Sequence, residues 1–144
     1  MSDAAPLIEI EVPARAEFVR LVRLVMAGVG NVARFNLEEI EDLKLAAGEA
    51  CYATFQGARP EGARVRLSAR VLEDGVEVSV AREHLPEEVP LSVERARKSV
   101  GFNLLAHVVD EVDLDGDPQS TRIRLRKRRE VLPGVEIPRV QPSR

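Results

Sequence analysis

The chain has one cysteine, Cys51, and two histidines, His84 and His107, among its 144 residues. A single cysteine excludes an intrachain disulfide framework and fits a reducing compartment. One cysteine and two separated histidines offer no zinc-ligand spacing, so we expect no metal site. Helical periodicity places Cys51 on the inward face of its predicted helix, where it is most simply a small hydrophobic residue.

Long apolar runs are also absent, and the longest falls far short of the length that spans a membrane. The N-terminus opens with Ser2, Asp3, Ala4 and Ala5, so it carries no basic region of the kind that begins a signal peptide. These two features predict a cytoplasmic protein without a membrane partner.

Positive charge is not in excess, since the net charge is −3, which argues against nucleic acid as the main partner. The most basic stretch is 122–129, and strand alternation accounts for its first five residues. Lys127, Arg128 and Arg129 are left over, but no aromatic residues that could stack on bases are interleaved with them. We therefore expect no nucleic-acid site.

Hydrophobic residues make up 44% of the chain and charged residues 31%, the balance of a soluble globular domain. Ile8, Ile10 and Val12 alternate with glutamates, as in a half-buried strand. The spacing then predicts an amphipathic helix over 14–30, with Gly28, Gly30 and Asn31 as stop signals rather than a phosphate loop. A second helix is predicted over 37–56, with these residues facing inward: Ile40, Leu43, Ala47, Ala50, Cys51 and Thr54.

Two hairpins follow. Alternation over 64–71 and 76–80 brackets the turn signal Asp74-Gly75. Residues 83–90 are predicted as a loop, and helices are predicted from about Ser92 towards Gly101 and over 101–109. The last hairpin pairs Val112 and Leu114 with Ile123 and Leu125, and its outer faces carry opposite charges.

The element order is therefore β-α-α-β-β-α-α-β-β. This order predicts an α+β fold, a two-layer α/β sandwich whose mixed, mainly antiparallel sheet has the helices on one face. The other face is expected to be solvated. We assign residues 1–129 to one domain and 130–144 to a proline-rich tail.

Residues 42–51, 101–112 and 120–125 form three runs that follow one another in this order along the chain. Together they resemble the anti-sigma-factor serine/threonine kinases of the GHKL superfamily of ATP-binding domains. The run 42–51 is similar to the family's N-box helix, and 101–112 is similar to the glycine-led segment after its ATP lid. The run 120–125 resembles its closing Gly-Thr strand. With the element order, the resemblance covers about residues 6–129 and implies the Bergerat-type ATPase fold.

The resemblance also implies where ATP chemistry would lie. An N-box glutamate is the presumed base, and Glu49 matches it. The N-box asparagine that helps to hold Mg²⁺ would stand four residues later, where Ala53 has no oxygen to offer. Thr54, about 100° further round the helix, is a poor substitute.

The family's adenine-binding Asp-x-Gly-x-Gly aligns with residues 82–86. Arg82 replaces the aspartate that accepts a hydrogen bond from adenine, and arginine has no acceptor. His84 and Pro86 replace the glycines that permit close approach. A one- or two-residue shift could make Glu83 the acceptor but would not restore the glycines.

After the lid, Gly101 survives, whereas Asn103 occupies the place of a second glycine and Ser120 replaces the glycine before Thr121. The ATP-site positions are therefore mostly substituted, and we expect no bound cofactor.

Two functions are compatible with this pattern. The first is a regulatory protein that dimerises through its sheet and first helix and binds a sigma factor or an anti-anti-sigma partner. The alternative is a divergent serine kinase that uses ATP and Mg²⁺, with Glu49 as base and 83–101 as lid. A third option is that the altered pocket holds another small ligand, for which Arg82 suits an anion.

Overall fold

The computed structural model describes residues 6–55, 62–83, 100–116 and 120–130. Five strands are present: β1 (Ile8–Pro13), β2 (Arg64–Leu72), β3 (Gly75–Glu83), β4 (Glu111–Gly116) and β5 (Ser120–Arg128). The helices are α1 (Val19–Val32), preceded by a 3₁₀ turn over Ala16–Phe18, α2 (Leu37–Phe55) and α3 (Val100–Val108). The predicted loop beyond residue 83, the helix from Ser92 and the tail beyond residue 130 lie outside the described residues.

The strands form one sheet in the order β1-β2-β3-β5-β4, and the helices cover one of its faces. The two-layer, mainly antiparallel prediction is confirmed, and every pairing among the described strands is antiparallel. The predicted pairs Val112 with Leu125 and Leu114 with Ile123 are both present. Because alternate residues of each strand point to the helices, the core is built from strand valines and leucines and from α1 and α2.

The predicted end of the first helix is wrong, because α1 continues through Gly28 and Gly30 to Val32. It ends in a Schellman motif, in which Phe35 N donates to Gly30 O at 2.9 Å and Arg34 N to Asn31 O at 3.1 Å. Arg34 takes the left-handed conformation, with φ of 61°, in the place where glycine is usual. Gly30 serves packing instead, since a Cβ there would lie 2.8 Å from Cγ1 of Ile40 on α2.

The second helix matches its prediction, and all six residues expected to face inward are buried or half-buried. It begins with a capping box that the sequence reading missed. Asn36 N donates to Glu39 Oε1 and Glu39 N donates to Asn36 Oδ1, both at 2.8 Å. The other oxygen of Glu39 accepts a hydrogen bond from Glu130 N, so the end of the described chain is tied to this cap.

The turn of the first hairpin differs by one residue from its prediction. Leu72 pairs with Gly75, so the two-residue loop is Glu73–Asp74 and Gly75 is the first residue of β3. A Cβ on Gly75 would lie 2.0 Å from Lys127 O on β5. Glycine is therefore required for the close approach of the two strands rather than for the turn.

The three basic residues at positions 127–129, which strand alternation does not explain, bind groups on other elements of the fold. Lys127 Nζ lies 3.1 Å from Asp42 Oδ2 on α2 and 3.0 Å from Val108 O at the end of α3. Arg129 donates from Nε and Nη2 to Ala33 O at 3.1 and 2.6 Å. Arg128 Nη2 lies 2.9 Å from Glu111 Oε1. Their positive charge has structural partners.

None of the described helices is both long and apolar enough to cross a bilayer. In the same ranges, no three histidine, cysteine or acidic side chains are grouped as metal ligands.

Candidate functional site

Helix α2 carries the N-box residues on the side that meets α3 and the sheet. Glu49 is half-buried and Ala53 is 4% exposed. Residues four apart on a helix lie one above the other, so the Ala53 methyl group occupies the position below the Glu49 carboxylate where the family's asparagine would stand.

Thr54 does not supply the missing oxygen. Its side chain is fully buried, and Oγ1 donates to Cys51 O at 2.8 Å within α2. Such a bond to a carbonyl one turn earlier is a common way to satisfy a threonine in a helix. The hydroxyl group is therefore bonded within its own helix, which agrees with the prediction that Thr54 is a poor substitute for the asparagine.

The carboxylate of Glu49 meets the start of α3. A Cβ on Gly101 would lie 2.6 Å from Glu49 Oε2, closer than real Cβ atoms approach an oxygen. The structure thus brings together two predicted site residues that are 52 positions apart in the chain. Asn103, two residues further along α3, is exposed, and so is His107 in the last turn.

Arg82 lies on the inward side of β3 and is fully buried. It continues the series Val76, Val78 and Val80, and it pairs in register with Val65 on β2 and Thr121 on β5. A guanidinium group, which carries five N–H donors and no acceptor, therefore occupies the inward position next to the buried Thr121. His84 and Pro86 lie outside the described residues.

One residue near the site was missed by the sequence reading. Arg23 of α1 reaches across to α2, where a Cβ on Gly48 would lie 3.0 Å from its Nε and 3.1 Å from its Nη2. Gly48 thus provides room for the guanidinium group on the side of α2 that meets α1. A glycine in the middle of a helix costs roughly 0.5–1 kcal/mol relative to alanine, and this unfavourable choice is the sequence signal that something packs there.

The cysteine of the N-box run is a core residue, as predicted. Burial raises the pKa of the Cys51 thiol to about 12, against a smaller lowering by the positive charge of Arg23. A thiol with so high a pKa is almost entirely protonated at neutral pH, and it is a poor nucleophile. Cys51 therefore contributes packing.

The residues of the site differ in the hydrogen-bond donors and acceptors that they provide. Glu49 offers a half-buried carboxylate against a glycine, which is suited to orient or deprotonate a hydroxyl group. Ala53 offers no ligand to Mg²⁺, which prefers oxygen. Arg82 places a guanidinium group, which has no acceptor, at a position where adenine binding in the family uses an acceptor.

Comparison with known proteins agrees with this fold. The model of the family described as histidine kinase-like ATPase domain matches residues 12–127. The serine-protein kinase RsbW of Bacillus subtilis is 35% identical over 118 residues, which cover 81% of this chain and 71% of that protein. RsbW of Bacillus pumilus is 32% identical over 116 residues, covering 78% and 69%.

A solved structure, that of the RsbU and RsbW domains of a Mycobacterium tuberculosis protein, superposes with a TM-score of 0.57 at 17% identity. It covers 89% of this chain and 36% of that one, and at this identity it shows the fold alone. The family match spans most of the chain, and the Bacillus relatives share about a third of their residues with it. The chain therefore belongs to the RsbW group of the histidine kinase-like ATPase family.

Proposed function

We propose that this protein is an anti-sigma-factor-type regulator that acts by binding a protein, either a sigma factor or an anti-anti-sigma partner, without using ATP. Membership of the RsbW group supports the regulatory role, and the altered site supports the absence of nucleotide chemistry. The proposed domain is 1–129, and the proposed location is the cytoplasm, where sigma factors act.

The observation that carries the proposal is the burial of Arg82. A fully buried guanidinium group, which has no acceptor, lies on the inward face of β3 at the position where the family's aspartate would accept a hydrogen bond from the adenine amino group. Burying an unmatched polar pair costs about 1–3 kcal/mol, so adenine in the family's pose is opposed rather than bound.

Ala53 removes the second part of the nucleotide site. Mg²⁺ neutralises the phosphates in phosphoryl transfer and takes oxygen ligands. The methyl group of Ala53 is 4% exposed and is surrounded by core residues, so it leaves neither a ligand nor a solvent path to replace one. The site therefore does not fit ATP-Mg²⁺.

A protein-binding role has independent support on the helical layer. Leu21, Leu24 and Val32 lie along the outer side of α1 and Leu37 begins α2, with Leu24 70% and Leu37 75% exposed. Exposed apolar residues that recur along one helix are typical of a surface that another protein covers. Either a partner or a second copy could use this surface, and dimerisation through α1 and the sheet is part of the proposal.

The second candidate function is an active serine kinase, which one observation favours. Glu49 is retained and is held against Gly101, as a base positioned beside the lid segment would be. The matched relatives are named serine-protein kinases.

Calorimetry with ATP and Mg²⁺ separates the two functions. We expect no binding heat from this protein at concentrations where RsbW of Bacillus subtilis, measured in parallel, saturates. Micromolar binding that is lost in Glu49→Ala or Arg82→Ala would favour the kinase instead. Transfer of labelled phosphate from ATP to an anti-anti-sigma protein would do the same.

Partner binding is tested separately with purified proteins. The sigma factors and anti-anti-sigma proteins of the source organism are mixed one at a time with this chain, without nucleotide, and complexes are measured by light scattering after gel filtration. We expect one stable complex, which Leu24→Glu weakens. Failure of every sigma factor and anti-anti-sigma protein to bind would contradict the proposal.

A further inference from the structure

The face of the sheet that is turned away from the helices has an ordered arrangement of charge. Acidic residues lie on the two edge strands, and arginines lie on the strands next to them. The central strand β3 carries the small residues Ser79 and Ala81 between the arginines, with Glu77 and Glu83 on the same face at the two ends of this pair. The outward acidic residues of the edges are Glu9, Glu11, Glu111, Asp113 and Asp115, and the flanking arginines are Arg64, Arg66, Arg70, Arg122, Arg124, Arg126 and Arg128.

The register aligns two of these arginines on either side of Ala81. Arg66 on β2 and Arg122 on β5 both pair with Ala81, and both are exposed. Neighbouring strands are about 4.8 Å apart, so the two arginine backbones are separated by roughly 10 Å with only a methyl group between them. Two residues along β3, Ser79 pairs with Ser68 and Arg124. We call the groove with Ala81 and Ser79 as its floor the β3 trough.

The arginines that border the trough are available for a ligand. In the described part of the chain, Arg66, Arg122 and Arg124 make no ion pair, whereas other arginines of this face do. Glu11, the neighbour of Arg66 in register, bonds Arg64 instead, at 3.0 Å. Positive charge without a partner is therefore concentrated around Ala81 and Ser79.

Two open cavities border this end of the sheet face. One, of about 190 Å³, is lined by Arg64, Arg66 and Ala81 together with Glu11, Gly62 and Glu83. The other, of about 310 Å³, is lined by Arg122 and Arg124 together with Asp113, Leu114 and Asp115. Each contains an arginine without an ion pair, so side chains of a bound segment have room on both sides of β3.

We propose that the β3 trough docks an extended acidic segment of a partner protein. In an extended chain, alternate side chains are about 6.8 Å apart, which equals the spacing of the Ala81 and Ser79 rows. Carboxylates at alternate positions therefore reach Arg66 and Arg122 at one row and Arg124 at the next. Charge-assisted hydrogen bonds from guanidinium groups to carboxylates provide the recognition.

The edges of the face favour a short acidic peptide over a nucleic acid. A polynucleotide carries charge at every residue and would lie over the glutamates and aspartates of β1 and β4. Aromatic side chains that could stack on bases are absent from the outward positions of the described strands. A peptide with neutral flanks places its charge in the trough alone.

This site goes beyond the proposed function, and it requires that dimerisation through the sheet use an edge strand rather than the face that carries the trough. The trough lies on the face of the sheet that is turned away from Arg82 and from the helices that carry Glu49 and the exposed leucines, so a segment bound there does not cover Glu49 or those leucines. If the trough did not bind an acidic peptide, the results expected from the ATP calorimetry and from the partner-binding experiment would stay the same. Likewise, failure of either of those experiments would not change the peptide binding expected here.

Fluorescence anisotropy tests the proposal with a labelled heptapeptide in which alanine and glutamate alternate. At low ionic strength we expect saturable binding that the double variant Arg66→Glu/Arg122→Glu weakens at least tenfold. Both side chains are exposed and make no ion pair among the described residues, so we expect the variant to remain folded, as checked by its melting temperature. Arg20→Glu/Arg34→Glu, which reverses two exposed arginines of the helical layer and changes the net charge by the same amount, is the matched control and is expected to bind as the wild type does.

A second variant separates docking in the trough from diffuse attraction. Ala81→Tyr fills the floor without changing the charge and is expected to weaken binding about as much as the arginine reversal. Unchanged binding by this variant would overturn the proposal, as would equal binding of a decathymidylate. A homodimer that dissociates in Arg66→Glu/Arg122→Glu would also overturn it, because a second copy would then occupy the face.

Discussion

The carboxylate of Glu49 lies against the backbone of Gly101, where a Cβ atom would come within 2.6 Å of Oε2. This contact joins the N-box helix to the segment that follows the lid in the family. The conflicting atom is the end of a flexible side chain, so the energetic coupling between the two positions can be measured directly.

We predict that Gly101→Ala stabilises the protein more when Glu49 is absent. Gly→Ala exchange at a compatible backbone position stabilises by about 0.4–1 kcal/mol, and in the wild type the displacement of Glu49 offsets this gain. In a Glu49→Ala background the gain should appear in full. Urea unfolding of the four proteins of the cycle measures it, and strictly additive effects would show that the two residues are not in contact.

Gly75→Ala should destabilise strongly, because the added methyl group meets the backbone of β5, 2.0 Å from Lys127 O. Backbone cannot move aside as a side chain can, so we expect a loss of about 3 kcal/mol. Gly28→Ala is the control, since nothing lies within 4 Å of its Cβ position and α1 should gain about 0.5–1 kcal/mol. Equal effects of the two substitutions in thermal unfolding would contradict the packing described for β3 and β5.

The pH dependence of stability should contain a contribution from Cys51. Burial raises the pKa of its thiol from 9.0 to about 12, so the unfolded chain loses this proton first as the pH rises. The contribution is complete below pH 9 and is lost between about pH 9 and 12, with a slope of up to about 1.4 kcal/mol per pH unit. Comparison of the unfolding free energy of the wild type with that of Cys51→Ala across this range isolates it from other titrating groups, and parallel curves would refute it.

Asn36→Ala should remove half of the capping box of α2 and lower the free energy of unfolding by about 1 kcal/mol. Asn36→Ser keeps an oxygen that can accept from Glu39 N, so most of the stability should be retained. Chemical denaturation of both variants gives the comparison. Similar losses in alanine and serine variants would indicate that the Asn36 side chain does not cap the helix.

Much of the architecture was accessible from local patterns. The alternation in β4 and β5 predicted Val112 opposite Leu125, and the helical period of α2 predicted its inward residues, because both depend on neighbours a few residues apart. The prediction that Gly30 ends the helix was wrong, because glycine is needed there to make room for the side chain of Ile40 on another helix. The prediction that Gly75 is a turn residue was also wrong, because glycine is needed there for the close approach of β5.

The candidate site likewise has some features that follow from the sequence and others that depend on tertiary packing. The identities of Ala53 and Arg82 are properties of the sequence, and so is the lack of an oxygen at one and of an acceptor at the other. The contact of Glu49 with Gly101 and the reach of Arg23 across Gly48 depend on how helices pack, which no local pattern contains.

The sequence by itself thus determined the order of the described elements, the faces they bury and the chemical groups available at each site position, because periodicity and side-chain chemistry are local. Only the tertiary structure decided that Arg82 is fully buried, that Lys127 and Arg129 tie β5 to the helices, and that Arg66 and Arg122 flank Ala81. Those facts depend on contacts between residues far apart in the chain, and such contacts exist only once the sheet and helices have packed.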